Sequence, residues 1–201
     1  MQTFVRVKAV AAPLPIANID TDMIIPALYM KALTRTGLGR HLFRELRYDA
    51  NGQERADFIL NRPPCRDAQI LIADRNFGCG SSREHAVWAL VDFGIRCVIA
   101  PSFGDIFAGN ARKSGLLLIR LPDPICAALR HEVEATDYAP VEVDLEARQI
   151  RLASGQSIGF AVDAGDRRIL MEGLDDIERT MRHADAIARF EAEHRRAIDP
   201  M

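Results

Sequence analysis

Apolar runs of strand length alternate along this chain with stretches of helical period. Gln69-Ile-Leu-Ile-Ala73, Ile95-Arg-Cys-Val-Ile-Ala100 and Leu116-Leu-Leu-Ile119 are the runs. Ala86-Val-Trp-Ala-Leu-Val-Asp-Phe93 and the segment opened by Pro101-Ser-Phe-Gly-Asp105 lie between them as helices. The first pair of runs with its helix forms one βαβ unit, and the third adds another buried strand. Gly94 and Gly115 suit helix ends, while Ser102 with Asp105 three residues on suits a helix start. Residues 3–10 alternate like a strand that Ala11-Ala-Pro-Leu-Pro15 should end, since proline cannot continue a ladder.

Farther out the pattern is weaker. A short helix is expected around His41–Leu46, a turn at Asp49-Ala-Asn-Gly52 and a proline break at Arg62-Pro-Pro64. Pro122–Ala135 reads as a helix. Val141–Leu145, Gln149–Ala153 and Ser157–Val162 alternate over short spans, as in an antiparallel meander. In the tail Leu174, Ile177, Met181, Ala184, Ile187 and Phe190 fall at steps of three and four, one helical face with a break near His183. Packing of that face against the core is favoured over partner binding.

Composition narrows the picture. A chain of 201 residues, 48% hydrophobic and 27% charged, can bury a core in a single domain, here taken as 1–201 with a helical segment from about 174. A net charge of -2 gives no footprint for nucleic acid or an anionic membrane. No run approaches the roughly 20 apolar residues of a bilayer span, so a soluble cytoplasmic protein is expected. Cys65, Cys79, Cys97 and Cys126 are widely spaced with no Cys-x-x-Cys, which argues against a metal cluster or a disulfide framework on this chain.

The candidate chemistry lies in Asp74-Arg-Asn-Phe-Gly-Cys-Gly-Ser-Ser-Arg-Glu-His85, between the first run and its helix. A strand-to-helix turn favours anions, because the first N–H groups of the helix lack internal partners. Gly78 and Gly80 allow positive φ and close backbone approach. Ser81 or Ser82 would cap the helix, and Arg83 adds a fork suited to a carboxylate or phosphate. The same features also fit an ordinary capped turn, and the pattern is neither a dinucleotide fingerprint nor a P-loop. Upstream, Asn18-Ile-Asp-Thr-Asp22 could bind a cation or, by default, cap a turn. Lys31–Gly39 reads as a basic loop that can move, with Arg35 either a second anion contact or a solvated charge.

Together, Asn18-Ile-Asp-Thr-Asp22 with Ile24-Ile-Pro26, Arg35-Thr-Gly37, Asn76–His85, Ile99-Ala-Pro-Ser-Phe103 with Asp105-Ile-Phe107, and Gly173-Leu-Asp-Asp-Ile177 resemble the small subunits of bacterial 3-isopropylmalate dehydratase. The resemblance runs from about Phe4 to Phe190, and that family is similar to the swivel domain of aconitase. It implies an α/β fold of swivelling β/β/α type, with a partly closed barrel and flanking helices. It implies a large-subunit partner carrying a four-iron four-sulfur cluster, no cofactor or metal on this chain, and a small diacid substrate. The isolated chain could also self-associate.

By the same resemblance Ser81 is the catalytic base, and Arg83 holds a substrate carboxylate with Ser82 and Arg35 as further contacts. Gly78, Gly80, Glu84 and His85 support the turn. The reaction implied is isomerisation of 2-isopropylmalate to 3-isopropylmalate through 2-isopropylmaleate, a step of leucine biosynthesis. Gly165-Asp-Arg-Arg-Ile169 departs from the family's usual Phe-Arg-Arg-His-Cys, and Glu172 stands where asparagine is usual. The departures leave two rivals: a hydro-lyase subunit for dimethylmalate, citramalate or homocitrate, and a non-catalytic binding protein of swivel fold.

Overall fold

The computed structural model describes residues 1–31, 34–174 and 176–198. In chain order its elements are β1 (Arg6–Ala9), β2 (Ala11–Leu14), α1 (Thr21–Ile24), α2 (Arg44–Arg47), β3 (Ile70–Ala73), α3 (Glu84–Phe93), β4 (Cys97–Ala100), α4 (Asp105–Ser114), β5 (Leu117–Arg120) and α5 (Asp123–Ala135). There follow β6 (Val141–Asp144), β7 (Gln149–Arg151), β8 (Ser157–Gly159), α6 (Ala164–Glu172), α7 (Asp176–Met181) and α8 (Ala184–Ile198).

The three continuous apolar runs become β3, β4 and β5, adjacent and parallel in the order β2-β3-β4-β5. Both faces of this sheet are covered, which is why its strands read as unbroken apolar runs. Leu14, Leu71, Ala73, Val98 and Ala100 point into one core with Val87 and Leu90 of α3 and Phe107 and Ala111 of α4. Ala11, Ile70, Ile72, Ile99, Leu117 and Ile119 point into a second core with Cys126, Leu129 and Val133 of α5 and Val141, Val143 and Ile150 of the other sheet. That second sheet is antiparallel, ordered β1-β6-β7-β8, and β6 to β8 are the expected meander. The α/β swivel class therefore holds, and among the described residues the strands form two open four-stranded sheets that do not close into a ring.

Ala11–Leu14 does not end a strand; it is one. β2 lies on the edge of the parallel sheet and pairs with β3, Pro13 opposite Ile72. An edge strand has one side without ladder bonds, and there the missing N–H of proline does no harm. The expected helix at His41–Leu46 is instead a 3-10 turn at Gly39–His41 followed by α2. Ser102 does not cap α4, whose N-cap is Gly104 with no side-chain bond. The tail breaks between α7 and α8, as the pattern at His183 suggests. Its apolar face is not packed into the core, however. Ile177, Met181, Ile187 and Phe190 are exposed, Ile177 by 74%. Periodicity shows which residues share a face but not what that face meets.

A buried carboxylate ties the antiparallel sheet together. Asp144, opposite Arg6 in the β1–β6 register, accepts from the Ala147 N–H at 2.8 Å and from Arg6 Nη2 at 2.7 Å, with Arg151 Nη1 at 3.5 Å. The Ala147 hydrogen bond, followed by Arg6, holds its carboxyl below the usual carboxylate range although burial opposes this. A depressed folded-state pKa contributes stability above the unfolded value of about 3.9 and loses it as pH falls through the folded value. Asp144→Asn should therefore destabilise the fold by about 1–3 kcal/mol at pH 7, and the Tm gap between variant and parent should close as pH drops toward 3. An equal gap at both pH values in thermal melts would show that the charge is irrelevant.

Candidate functional site

Beyond the carboxyl ends of the parallel strands the chains separate only slowly. The Asn18 N–H bonds the Arg75 carbonyl at 2.9 Å, the Gly78 N–H that of Ile19 at 2.7 Å, and the Thr21 N–H that of Cys79 at 3.0 Å. On the other flank the Phe77 N–H bonds the Ser102 carbonyl at 3.1 Å, and the Gly104 N–H that of Phe77 at 2.9 Å. Isolated parallel bridges, Asp20 with Cys79 and Phe77 with Phe103, mark this extension of the ladder. The three loops after β2, β3 and β4 thus converge at the end of an open α/β sheet, where strand ends leave a crevice for ligands.

The glycines act here by what they lack. Gly78 has φ +72, and a Cβ on it would overlap the ring of Phe107, which packs edge-on against Phe77 at 5.5 Å. A Cβ on Gly104 would come 2.5 Å from the Gly78 carbonyl oxygen. Gly80, at φ +96, has room for a side chain but a backbone that favours glycine. From β3's end, Arg130 of α5 braces this turn by donating to the Ala73 carbonyl at 2.7 Å.

Ser81 is exposed at the tip of the turn. Its Oγ lies 2.9 Å from Oγ1 of Thr21, which is buried, and its N–H donates to the same oxygen at 3.4 Å. Neither Ser81 nor Ser82 caps α3, contrary to expectation: Arg83 is the N-cap, without a side-chain bond, and the helix begins at Glu84. The turn needs its hydroxyl elsewhere, because Thr21 is in reach and the helix start is three residues further on. The helix dipole, which fades beyond the first turn, therefore bears on Arg83 and Glu84 more than on Ser81. Ser82, also exposed, accepts through its carbonyl from Asn110 Nδ2 at 3.5 Å.

Arg83 folds back onto the loop after β2. Its Nη1 faces the Asp22 carboxylate in a close ion pair without hydrogen-bond geometry, and its side chain is only 16% exposed. Of the two aspartates flanking Thr21, Asp20 caps α1 by accepting from the Met23 N–H at 2.7 Å. Thr21 and Asp22 are thus the partners of Ser81 and Arg83. Asn18-Ile-Asp-Thr-Asp22 carried the hint, but no local pattern says which turn these residues will meet 60 positions later.

Arg35 also arrives at the start of α3. Its guanidinium stands over the Trp88 ring, 5.2 Å from the centroid, with Nη2 3.9 Å from Glu84 Oε1. Glu84 in turn accepts from Trp88 Nε1 at 3.2 Å, and the His85 ring lies 4.6 Å from that of Trp88. With Arg35 63% exposed, such an ion pair contributes roughly 0–1 kcal/mol and the cation–π contact about 0.5–1 kcal/mol. The six polar residues singled out in the sequence, Ser81, Ser82, Arg83, Glu84, His85 and Arg35, therefore gather around one helix start.

Cys65, Cys97 and Cys126 are buried free thiols, and burial raises the pKa of each, to about 11 for Cys65 and Cys126. Thiols held protonated in this way are poor metal ligands. Cys79 sits half-buried in the turn. Among the described residues no group of three or more His, Cys, Asp or Glu could hold a metal ion, and no helix is long and apolar enough to cross a membrane.

Comparison with known proteins agrees along the whole chain. Residues 1–124 match the aconitase C-terminal domain, residues 127–164 the LeuD N-terminal model, and residues 176–197 the C-terminal domain of the 3-isopropylmalate dehydratase small subunit. Among curated relatives, the 3-isopropylmalate dehydratase small subunit of Granulibacter bethesdensis is 52% identical over 100% of this chain and 95% of its own length. That of Rhodospirillum centenum is 53% identical over 97% and 96%. The crystal structure of 3-isopropylmalate dehydratase from Methanocaldococcus jannaschii superposes with a TM-score of 0.67 at 25% identity, covering 92% of this chain and 98% of that one. With the strand-end turn, its glycines and its Ser-Ser-Arg core in place, the chain belongs to the family of 3-isopropylmalate dehydratase small subunits, built on the aconitase C-terminal domain.

Proposed function

We propose that this chain is the proton-transferring half of a two-subunit hydro-lyase that interconverts 2-isopropylmalate and 3-isopropylmalate through 2-isopropylmaleate, the leucine-pathway step, with Ser81 as base. The observation that carries the reading is the hydroxyl pair of Ser81 and Thr21, 2.9 Å apart, two residues from a guanidinium at the strand-end turn. Dehydration takes a proton from one carbon and hydroxide from its neighbour. The proton lies next to a carboxylate and is weakly acidic, so the base must be strong and water must be excluded. On this reading the large subunit's iron–sulfur cluster supplies Lewis acidity toward the leaving hydroxyl.

The residues of this chain account for the other half. Ser81 Oγ, its own proton released to water before the site is covered, takes the substrate proton as an alkoxide, becomes the neutral alcohol, and gives that proton to the neighbouring carbon when water adds in the reverse sense. Either Thr21 or Ser81 can donate in the resting pair. Once Ser81 has lost its proton only Thr21 can, so the buried Thr21 hydroxyl becomes a fixed donor to the anion, the arrangement that lowers a pKa and stabilises developing charge. Arg83 holds one substrate carboxylate with Ser82 beside it, and Arg35 approaches the second. In the absence of substrate Asp22 and Glu84 keep these two cations paired. Gly78 and Gly80 shape the turn, and Glu84 and His85 support it from the first turn of α3.

The sequence departure at Gly165–Ile169 falls in α6. There Asp166 pairs with Arg112 at 3.1 Å, and Arg167 donates to the Leu145 carbonyl at 3.3 Å. These contacts fasten α6 to α4 and to the end of β6. What favours isopropylmalate over dimethylmalate, citramalate and homocitrate is the name that the full-length relatives share.

Three outcomes are expected with the reconstituted two-subunit enzyme. Ser81→Ala should lower kcat by about 100-fold or more, the range of a lost general base, with assembly intact on gel filtration; near-normal turnover would refute the role. Arg83→Lys should raise KM about tenfold, because an ammonium cannot reproduce the bidentate fork, and an unchanged KM would remove Arg83 from the carboxylate site. Thr21→Val, which keeps the volume but not the hydroxyl, should lower kcat roughly tenfold with little change in KM. A kcat within twofold of the parent would show that Ser81 needs no donor from Thr21.

A further inference from the structure

Three residues spaced one turn apart on α3, Glu84, Trp88 and Asp92, meet the loop that carries Arg35. Spacings of i, i+4 and i+8 place them in a row along one face of the helix. Glu84 faces the Arg35 guanidinium, and Trp88 lies under it. Asp92 Oδ2 accepts from the Gly39 N–H at 2.7 Å, and a Cβ on Gly39 would come 2.5 Å from the Phe93 backbone nitrogen. The loop's far end is therefore clamped at Gly39. Between clamp and arginine lies Gly37, at φ +84 with open space where a Cβ would be. Arg35 has a fixed anchor, a permissive pivot and a resting place.

We propose that Glu84 and Trp88 are positioning residues that hold Arg35 in a resting latch, with the Glu84 carboxylate occupying the guanidinium until a substrate carboxylate displaces it. The inference rests on the reading of Arg35 as a substrate contact. Three features favour a latch over a permanent bond. The Arg35–Glu84 separation of 3.9 Å is an ion pair beyond hydrogen-bond distance, and Arg35 is mostly exposed, so the contact is weak enough to exchange. Glu84 is itself held by the Trp88 N–H, so it stays in place when Arg35 leaves. A carboxylate is also the chemical group the diacid brings. Substrate therefore competes with a copy of its own functional group, and apparent affinity is reduced by the fraction of molecules latched.

Trp88 is the single tryptophan of the chain, so its emission reports the guanidinium above it. In the isolated full-length chain, Arg35→Ala should shift Trp88 emission and Glu84→Gln should give part of that shift; no shift in either variant means no latch in solution. In the reconstituted enzyme, Glu84→Gln should lower KM for 2-isopropylmalate about threefold, within the range of an exposed ion pair. Glu84→Asp keeps the charge at the helix start but shortens its reach, and should lower KM likewise. In the Arg35→Ala background neither substitution should move KM. An unchanged or raised KM for Glu84→Gln, or a fall in KM confined to that variant and absent in Glu84→Asp, would overturn the latch. If Arg35→Ala alone raises KM while the Glu84 variants do not lower it, the latch fails and the role of Arg35 stands. If Arg35→Ala leaves KM unchanged, the assignment of Arg35 fails and the latch falls with it.

Discussion

The site depends on backbone pairing that outlasts its strands. Past Ala73 the loop after β3 stays bonded on both sides, through Gly78 to Ile19, Thr21 to Cys79 and Gly104 to Phe77. Three irregular loops are thereby held almost as closely as a sheet. This works only because Gly78 and Gly104 carry no Cβ: one would collide with Phe107, the other with the Gly78 carbonyl. Buried backbone groups need partners, and here the partners come from the neighbouring loop. Rigidity at the turn, and with it the distance from Thr21 to Ser81, follows from that mutual satisfaction. A loop bonded only to itself could not hold two hydroxyls 2.9 Å apart from opposite ends of a 60-residue separation.

Charge at the site is arranged in the same spirit. Both cations proposed to hold substrate face an acid of this chain: Arg83 with Asp22, and Arg35 with Glu84. The pairs differ in burial, and that difference has consequences. Arg83 is 16% exposed, and a guanidinium so enclosed is destabilised without a counter-charge. Asp22 supplies the charge while remaining 57% exposed itself, so it is the partner that can move. Arg35 is mostly in water and needs no neutralisation; its pairing with Glu84 sets where it rests rather than whether it is tolerated.

Which parts of this were legible in the sequence follows from the range of the forces involved. β3, β4 and β5 were readable because a strand buried on both faces is apolar throughout, and Gly94 and Gly115 do end their helices in the left-handed conformation. β2 was missed because proline excludes a central strand but not an edge, and edge position is a property of the assembled sheet. The caps at Ser81, Ser82 and Ser102 were misread for a related reason. A serine before a helix offers its hydroxyl locally, yet Ser81 meets Thr21 and Ser102 accepts from the Asn76 N–H at 2.8 Å, both through long-range contacts. Motif resemblance singled out residues that the fold brings to one turn, whereas their pairing, Thr21 with Ser81 and Asp22 with Arg83, emerged only from the fold.

An exposed serine in water has no means of acting as a strong base. An alcohol is too weak an acid to ionise near neutral pH, and one donor from Thr21 adds little to the stability of the alkoxide while water competes as a donor. The tip of the turn, with Ser81 and Ser82 both exposed, lies open to solvent, whereas fixed donors such as those of Thr21 and Arg83 gain strength in a low dielectric. From the turn, α3 and α4 run away along one face of the sheet while α5 lies on the other. An open turn of this kind fits the proposed division of the chemistry between two subunits. On that proposal this chain supplies a hydroxyl and two cations held ready, and cover by the large subunit supplies the dryness that makes them reactive.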